Sequence, residues 1–233
     1  FVNYIDNVQA FAFISAKRDR KGSVGVVSQS GQLCLSMMDD PGMRFSYNIS
    51  AGNGKEILIQ IADQNEFVEL KKDYGNDMAI GFIRLNGETI GCIANKEERI
   101  SAQGAKKAAS FVKLCDAFGI GILTVTDTVG FVAEIEQEKE LSQAIGAMTG
   151  AFVQATVPKV NVISKKAFGS AYVSMNSKSI GADFVYAWSD AKIGMMEADM
   201  AVKIMYPGAN ADVLKEKAKE YEELQSDVYT AAR

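Results

Sequence analysis

The sequence predicts an α/β fold built from repeated strand and helix units. Three observations carry that prediction. Short apolar strands alternate with Ala-rich helical stretches from residue 56 onward, two alternating runs flank Asn86-Gly87, and an amphipathic helix ends the pattern. The first 55 residues are instead rich in Ser, Gly and Asn, so a join near SAGNGKEI divides the chain into residues 1–55 and 56–233. In the first unit, GSVGVVSQSGQLCLSMM reads as a strand from Val24 to Val27, a Ser-Gly turn, and a helix from about Gln32. Ser28, Ser30 and Gly31 occupy that turn, where the serines suit helix capping and the unpaired backbone N–H groups suit a phosphate.

The second unit is more regular. Lys55 to Glu69 has apolar residues at 57, 58, 61 and 62, a helical spacing. MAIGFIRLNGETIGCIAN reads as a hairpin, because Asn86-Gly87 tolerates the positive φ of a tight two-residue turn. A helix follows from about Ala102 to Phe118, with Ala105, Ala108, Ala109, Val112 and Cys115 on its apolar face. GILTVTD is a buried strand and TVGF a turn. Residues 134–155 form a helix with Glu134, Glu136 and Glu138 near its positive end. A strand at 160–164, the turn Gly169-Ser170-Ala171, a helix in YVSMNSKSIGA, and strands in FVYAW and AKIGMM come next. The last helix spans about 211–225, with Leu214, Ala218, Tyr221 and Leu224 inward. Met195, Met196, Met200 and Met205 read as core packing, as do Tyr186 and Trp188.

Composition narrows the function. The chain has no histidine, which excludes Ser-His-Asp and Cys-His catalysis, His-ligated zinc and phosphohistidine chemistry. Cys34, Cys92 and Cys115 have no motif spacing and sit in apolar contexts, so they read as core thiols, and no metal site is expected. With 25 Lys and Arg against 29 Asp and Glu, the net charge of -4 gives no electrostatic grip on nucleic acid. Apolar runs such as FGIGILTVT are too short to cross a bilayer, so a cytoplasmic protein without membrane association is expected. The chain opens on Phe1 rather than Met, as a trimmed chain or a piece of a longer parent would.

The stretch KKAFGSAYVSM poses the functional question, because Gly169, Ser170 and Ala171 stand at a strand's end where bulkier side chains would pack better. One reading is a tight turn or close backbone approach; the other is a pair of backbone N–H groups aimed at an oxyanion. The loops TVGF and FGSAY leave successive strands, which in a winding α/β fold brings them to one pocket. Asp127 at a strand end reads as a helix or turn cap, since no paired carboxylate or histidine accompanies it.

Two resemblances add to these readings. VGVVSQSGQL with RFSYNISAGNGK resembles part of the ligase region of NDP-forming acyl-CoA synthetases, which implies phosphate-holding roles for Ser28, Ser30 and Gly31. That family's phosphorylated histidine has no counterpart here, so the segment reads as a remnant or fused piece. GFIRLNGETIGCIAN, AASFVKLCDAFGIGILTVTDTVGF, ATVPKVNVISKKAFGSAYVSMNSKSIGADFVYAWSDAKIGMM and AVKIMY resemble successive blocks of the C-terminal half of the carboxyltransferase subunit of biotin-dependent acyl-CoA carboxylases, the acetyl-, propionyl- and methylmalonyl-CoA enzymes.

The second resemblance implies a crotonase-like fold of repeated ββα units, in which backbone amides carry the chemistry. It implies transfer of CO2 between carboxybiotin and an acyl-CoA, with biotin borne on a biotin carboxyl carrier protein. The family's Gly-Gly-Ala-Tyr turn maps onto Gly169, Ser170, Ala171 and Tyr172, which implies oxyanion donors at Ser170 and Ala171, with Gly169 permitting close approach. Ser170 replaces a glycine, a strained choice if that position needs φ > 0. The Val-Pro-Gly-Phe turn appears as Thr128, Val129, Gly130 and Phe131, which implies that Gly130, Phe131 and Tyr172 line a biotin pocket. The family's N-terminal half has no counterpart in this chain, which implies a half-site needing that half or a second subunit, with self-association. The alternatives are an NDP-forming acyl-CoA synthetase fragment and a non-catalytic assembly module.

Overall fold

The computed structural model describes residues 54–231, together with the backbone of four short strands ahead of them. Those are β1 (Val2–Asn3), β2 (Val8–Gln9), β3 (Val24–Ser28) and β4 (Phe45–Ser50), paired in the order β2-β1-β4-β3. Ser30, Gly31, Cys34 and the helix expected from Gln32 lie outside the described residues, and only the strand backbone is described at Ser28.

The rest of the chain runs α1 (Gly54–Ile61), β5 (Val68–Leu70), β6 (Met78–Leu85), β7 (Glu88–Asn95), β8 (Arg99–Ile100) and α2 (Ala102–Ala117). It continues with β9 (Ile122–Thr128), β10 (Gly130–Phe131), α3 (Ile135–Gln154), β11 (Lys159–Phe168) and α4 (Gly169–Ser174). It ends with β12 (Phe184–Ala187), β13 (Lys192–Gly194), α5 (Ala198–Met205), α6 (Ala211–Gln225) and α7 (Val228–Ala231). The main sheet has the order β12-β11-β9-β7-β6-β5, and β13 pairs with the far end of β11. Its β5, β6 and β7 are antiparallel neighbours, whereas β7, β9, β11 and β12 are parallel.

Period-two alternation splits the strands between two core layers. Met78, Ile80, Ile93 and Ile122 face the layer under α2 and α3, packed on Phe111, Met148 and Phe152. Ile83, Cys92, Ala94 and Val125 face α1, packed on Ile57 and Leu58. Burying each such aliphatic side chain contributes about 1.5–3 kcal/mol. The apolar face read for α2 is buried throughout, and Cys92 and Cys115 are core thiols. Burial raises the Cys115 pKa to about 12 and pushes the Cys92 thiol up further, with Cys115 adding to that rise, so neither is a nucleophile at neutral pH. At the start of α2 the Ser101 hydroxyl accepts the Gly104 N–H at 2.9 Å and donates to Asp77 Oδ1 at 2.7 Å. Lys107, buried behind it, donates to the Met78 carbonyl at 2.7 Å.

Several expectations need correction. The helix expected over Lys55 to Glu69 stops at Ile61, because Gln64 and Asn65 take positive φ in a 3-10 turn and Val68–Leu70 joins the sheet. The strand expected at 160–164 runs on to Phe168, because β13 supplies a parallel partner for Lys166, Ala167 and Phe168. The TVGF turn contains a short strand, β10, paired with β8. The methionine run is not core: Met195 is 78% exposed, and Met200 and Met205 are about half exposed around α5. Tyr186 is also exposed, stacked beside Phe184 on edge strand β12, and Leu224 points outward from α6. Trp188, in contrast, packs against the α1 layer.

Candidate functional site

The two loops singled out in the sequence leave the same end of the parallel strands. Beyond β9, the Val129 N–H donates to the Glu98 carbonyl at 2.8 Å, and the Thr128 hydroxyl reaches the same oxygen at 3.0 Å. The Gly130 N–H donates to Thr128 Oγ1 at 3.3 Å, and Arg99 Nη1 donates to the Phe131 carbonyl at 3.3 Å. This turn is therefore held by hydrogen bonds to the segment 98–100, which offset the missing proline.

Beyond β11 the chain enters α4 at Gly169, which has φ 60. A Cβ there would lie 3.1 Å from the Met195 carbonyl, so both the left-handed backbone and the close approach require glycine. The positive φ falls on Gly169 and not on Ser170, so the serine in place of the family's glycine carries no such strain. No side chain caps α4 at Phe168. The N–H groups of Gly169, Ser170 and Ala171 have no acceptor within the helix, as in any first helical turn.

Val129, Gly130, Gly169, Ser170 and Tyr172 line one cavity of about 700 Å³, together with Met195 above β13 and Tyr221 and Gln225 of α6. Two sequence assignments change here. Phe131 packs against the core under α2 and α3 and does not line the cavity. Ala171 is fully buried, main chain included, and absent from the lining, so the donor expected at its N–H does not face the cavity as Ser170 does. Burial pushes the Tyr172 hydroxyl up, so it stays protonated at neutral pH. Met195, Tyr221 and Gln225 were not assigned from sequence; the usable signal was Tyr221 on the inward face of the last helix.

Asp127 is not the cap expected from the sequence, because its side chain bridges to the neighbouring strand. Its Oδ1 accepts the Lys166 N–H at 3.1 Å, where the β9–β11 register shifts. Burial raises its pKa, opposed by that hydrogen bond. Two other cavities lie elsewhere. One of about 440 Å³, lined by Asp63, Phe82 and Arg84, contains none of the expected residues, and one of about 330 Å³ shares only Phe168 with the site. Among the described residues no cluster of Cys, Asp and Glu is arranged to hold a metal ion, and no helix is long and apolar enough to cross a membrane.

Comparison with known proteins gives this geometry a context. The carboxyl transferase domain family matches residues 48–233. The propionyl-CoA carboxylase beta chain of Cereibacter sphaeroides is 42% identical over 185 residues, covering 76% of this chain and 36% of its own. The methylmalonyl-CoA decarboxylase subunit alpha of Propionigenium modestum is 35% identical over 216 residues, covering 88% of this chain and 40% of its own. Among solved structures, transcarboxylase 12S, described as a hexamer with methylmalonyl-coenzyme A and methylmalonic acid bound, superposes with a TM-score of 0.74 at 31% identity, covering 78% of this chain and 37% of that one. The chain thus spans little more than a third of the length of these relatives. The fold is the crotonase-like α/β fold of the carboxyltransferases, and the chain belongs to the carboxyl transferase domain family.

Proposed function

We propose that this chain is a carboxyltransferase component of a biotin-dependent acyl-CoA carboxylase, moving a carboxyl group between carboxybiotin and an acyl-CoA of the propionyl or methylmalonyl type. The observation that carries the reading is the meeting of the Val129-Gly130 and Gly169-Tyr172 turns in one cavity, in a chain of this family. The residues fit a biotin ring: Gly130, Val173, Ile193 and Met195 offer an apolar wall, and the first turn of α4 offers N–H groups to a ureido oxygen. Bound biotin supplies a carboxylated ureido nitrogen and, after transfer, a basic oxyanion. The chain's part is to hold that oxygen against the Ser170 N–H, with Gly169 letting the main chain come close. Such donors act through charge that develops in the transition state, each contributing about 3–4 kcal/mol.

Biotin arrives on a carrier protein, and the acyl-CoA side comes from an amino-terminal carboxyltransferase half or a second subunit, within a homo-oligomeric cytoplasmic assembly. The exposed Met195, Met200 and Ile204 support such a partner. The test is a carboxyl-transfer assay with free biotin and methylmalonyl-CoA, run on this chain alone and with an amino-terminal half added. Turnover in either arm supports the reading, and turnover only on addition makes the chain a half-site. Silence in both arms overturns it.

A further inference from the structure

Lys166 lies on β11, three residues before Gly169, lines the neighbouring cavity of about 330 Å³ with Glu197, and contacts three residues beside the site. Its N–H donates to Asp127 Oδ1, and its ammonium lies 3.0 Å from Glu98 Oε1 and 3.0 Å from Glu197 Oε1. Glu98 is the residue whose carbonyl holds Val129 and Thr128 in the first cavity turn. Glu197 caps α5, its carbonyl accepting the Met200 and Ala201 N–H groups at 3.1 Å, and it stands two residues after Met195, whose carbonyl closes over Gly169. We propose that Lys166 is a positioning residue: its ion pairs with Glu98 and Glu197 tie the Val129 turn to the segment 195–197 that closes over Gly169, and so set the width of the biotin pocket.

The chemistry suits a tie more than a reactive amine. Partial burial alone lowers the ammonium's pKa, but hydrogen bonds to Glu197 and Glu98 outweigh that and hold it above its ordinary value, so Lys166 stays charged. The neighbouring cations are committed elsewhere, Lys165 towards Asp127 at 3.9 Å and Lys192 towards Glu222 at 3.2 Å. The triad is partly exposed, so salt weakens it.

The experiment is native-state hydrogen exchange on the full chain, comparing wild type with Lys166→Met, Lys166→Arg, Glu98→Gln and Glu197→Gln. Lys166→Met is expected to speed exchange about fivefold at both Val129 and residues 195–197, the size expected for two partly exposed pairs. Each carboxylate change loosens mainly its own side, and Lys166→Arg restores wild-type rates. High salt reproduces the effect in wild type and adds nothing in Lys166→Met. An effect on only one side, or a uniform rise that includes the amides of α2, overturns the tie; because the salt arm uses wild type, the answer does not depend on the variants folding.

A second arm rests on the function proposed above. With an amino-terminal half added, Lys166→Met raises KM for free biotin while leaving kcat nearly unchanged, and Lys166→Arg rescues it. Coupled exchange with an unchanged KM overturns the positioning role. A wild type without biotin-dependent turnover removes the functional reading, and the exchange arm still decides whether Lys166 couples the two segments.

Discussion

The two ends of the β9–β11 strand pair use the same device, an aspartate reaching backbone N–H groups, and put it to opposite ends. Where the strands begin, Asp116 Oδ1 accepts the Thr156 N–H at 2.6 Å, the Thr156 hydroxyl at 3.0 Å and the Val157 N–H at 3.3 Å. Asp183 accepts the Lys159 N–H at 2.7 Å, and the buried Lys159 ammonium donates to the Phe152 and Ala155 carbonyls at the end of α3. Where the strands finish, Asp127 accepts a single N–H from the chain, and the first turn of α4 stands uncapped beside a cavity. One end satisfies its polar groups internally and serves stability. The other keeps donors available, which is what a site for developing negative charge requires.

The comparison breaks most sharply if the uncapped N–H groups can be removed without loss of transfer. Replacing the Ser170 amide with an ester, by incorporating the corresponding hydroxy acid, deletes one donor and keeps the shape. The expected result is a fall in kcat of about 10²–10³-fold, roughly 3–4 kcal/mol, with little change in melting temperature. At the other end, Lys159→Met leaves two carbonyls of α3 without their donor and is expected to cost about 2–4 kcal/mol in urea unfolding, with the transfer rate per folded molecule unchanged.

Two glycines sharpen the same contrast at smaller size. Gly87 and Gly169 have φ 82 and 60, so alanine at either is expected to cost about 1–2 kcal/mol. A Cβ on Gly87 meets open space, whereas one on Gly169 presses on the Met195 carbonyl. Gly87→Ala should therefore leave transfer intact, and Gly169→Ala should reduce it; equal activity in the two would place the Gly169 turn outside the chemistry.

Local signals explain what was legible. Asn86-Gly87 specifies its turn through φ alone, and the α2 face repeats within one helix, so neighbours in sequence suffice to read both. The misreadings share a cause in partners distant along the chain. β11 extends to Phe168 only because β13 returns alongside it, and β5 becomes a strand because β6 offers an edge where the helical spacing runs out at Asp63. On α5, Ala201 and Val202 are buried while Met200 and Ile204 are exposed, and composition cannot separate an apolar side chain that packs at home from one presented outward. The site was half legible for the same reason. The resemblance located the two turns, but Met195 and Gln225 reach the cavity through β13 pairing and α6 packing, and Lys166 gives no sign in sequence of its two carboxylate partners.

The aspartates supply the smallest test, and their signs differ. Hydrogen bonds from the Thr156 backbone and hydroxyl hold Asp116 below its ordinary value, with partial burial opposing. The native state therefore binds that proton less readily than the unfolded chain. The stabilisation is present above the ordinary carboxylate range and is lost as pH falls through the folded pKa. Burial holds Asp127 above its ordinary value. The native state binds that proton more readily, so stability falls as pH rises from the ordinary range through the folded pKa, and the charge is unfavourable at neutral pH. Asp116→Asn should accordingly be less stable than wild type at neutral pH and converge with it on acidification. Asp127→Asn, which keeps an acceptor for the Lys166 N–H, should be at least as stable as wild type at neutral pH and lose that advantage in acid. Urea midpoints measured across this range check both. Matching signs would mean that the finishing end is as internally satisfied as the starting end, and that its spare donors do not mark it as a site.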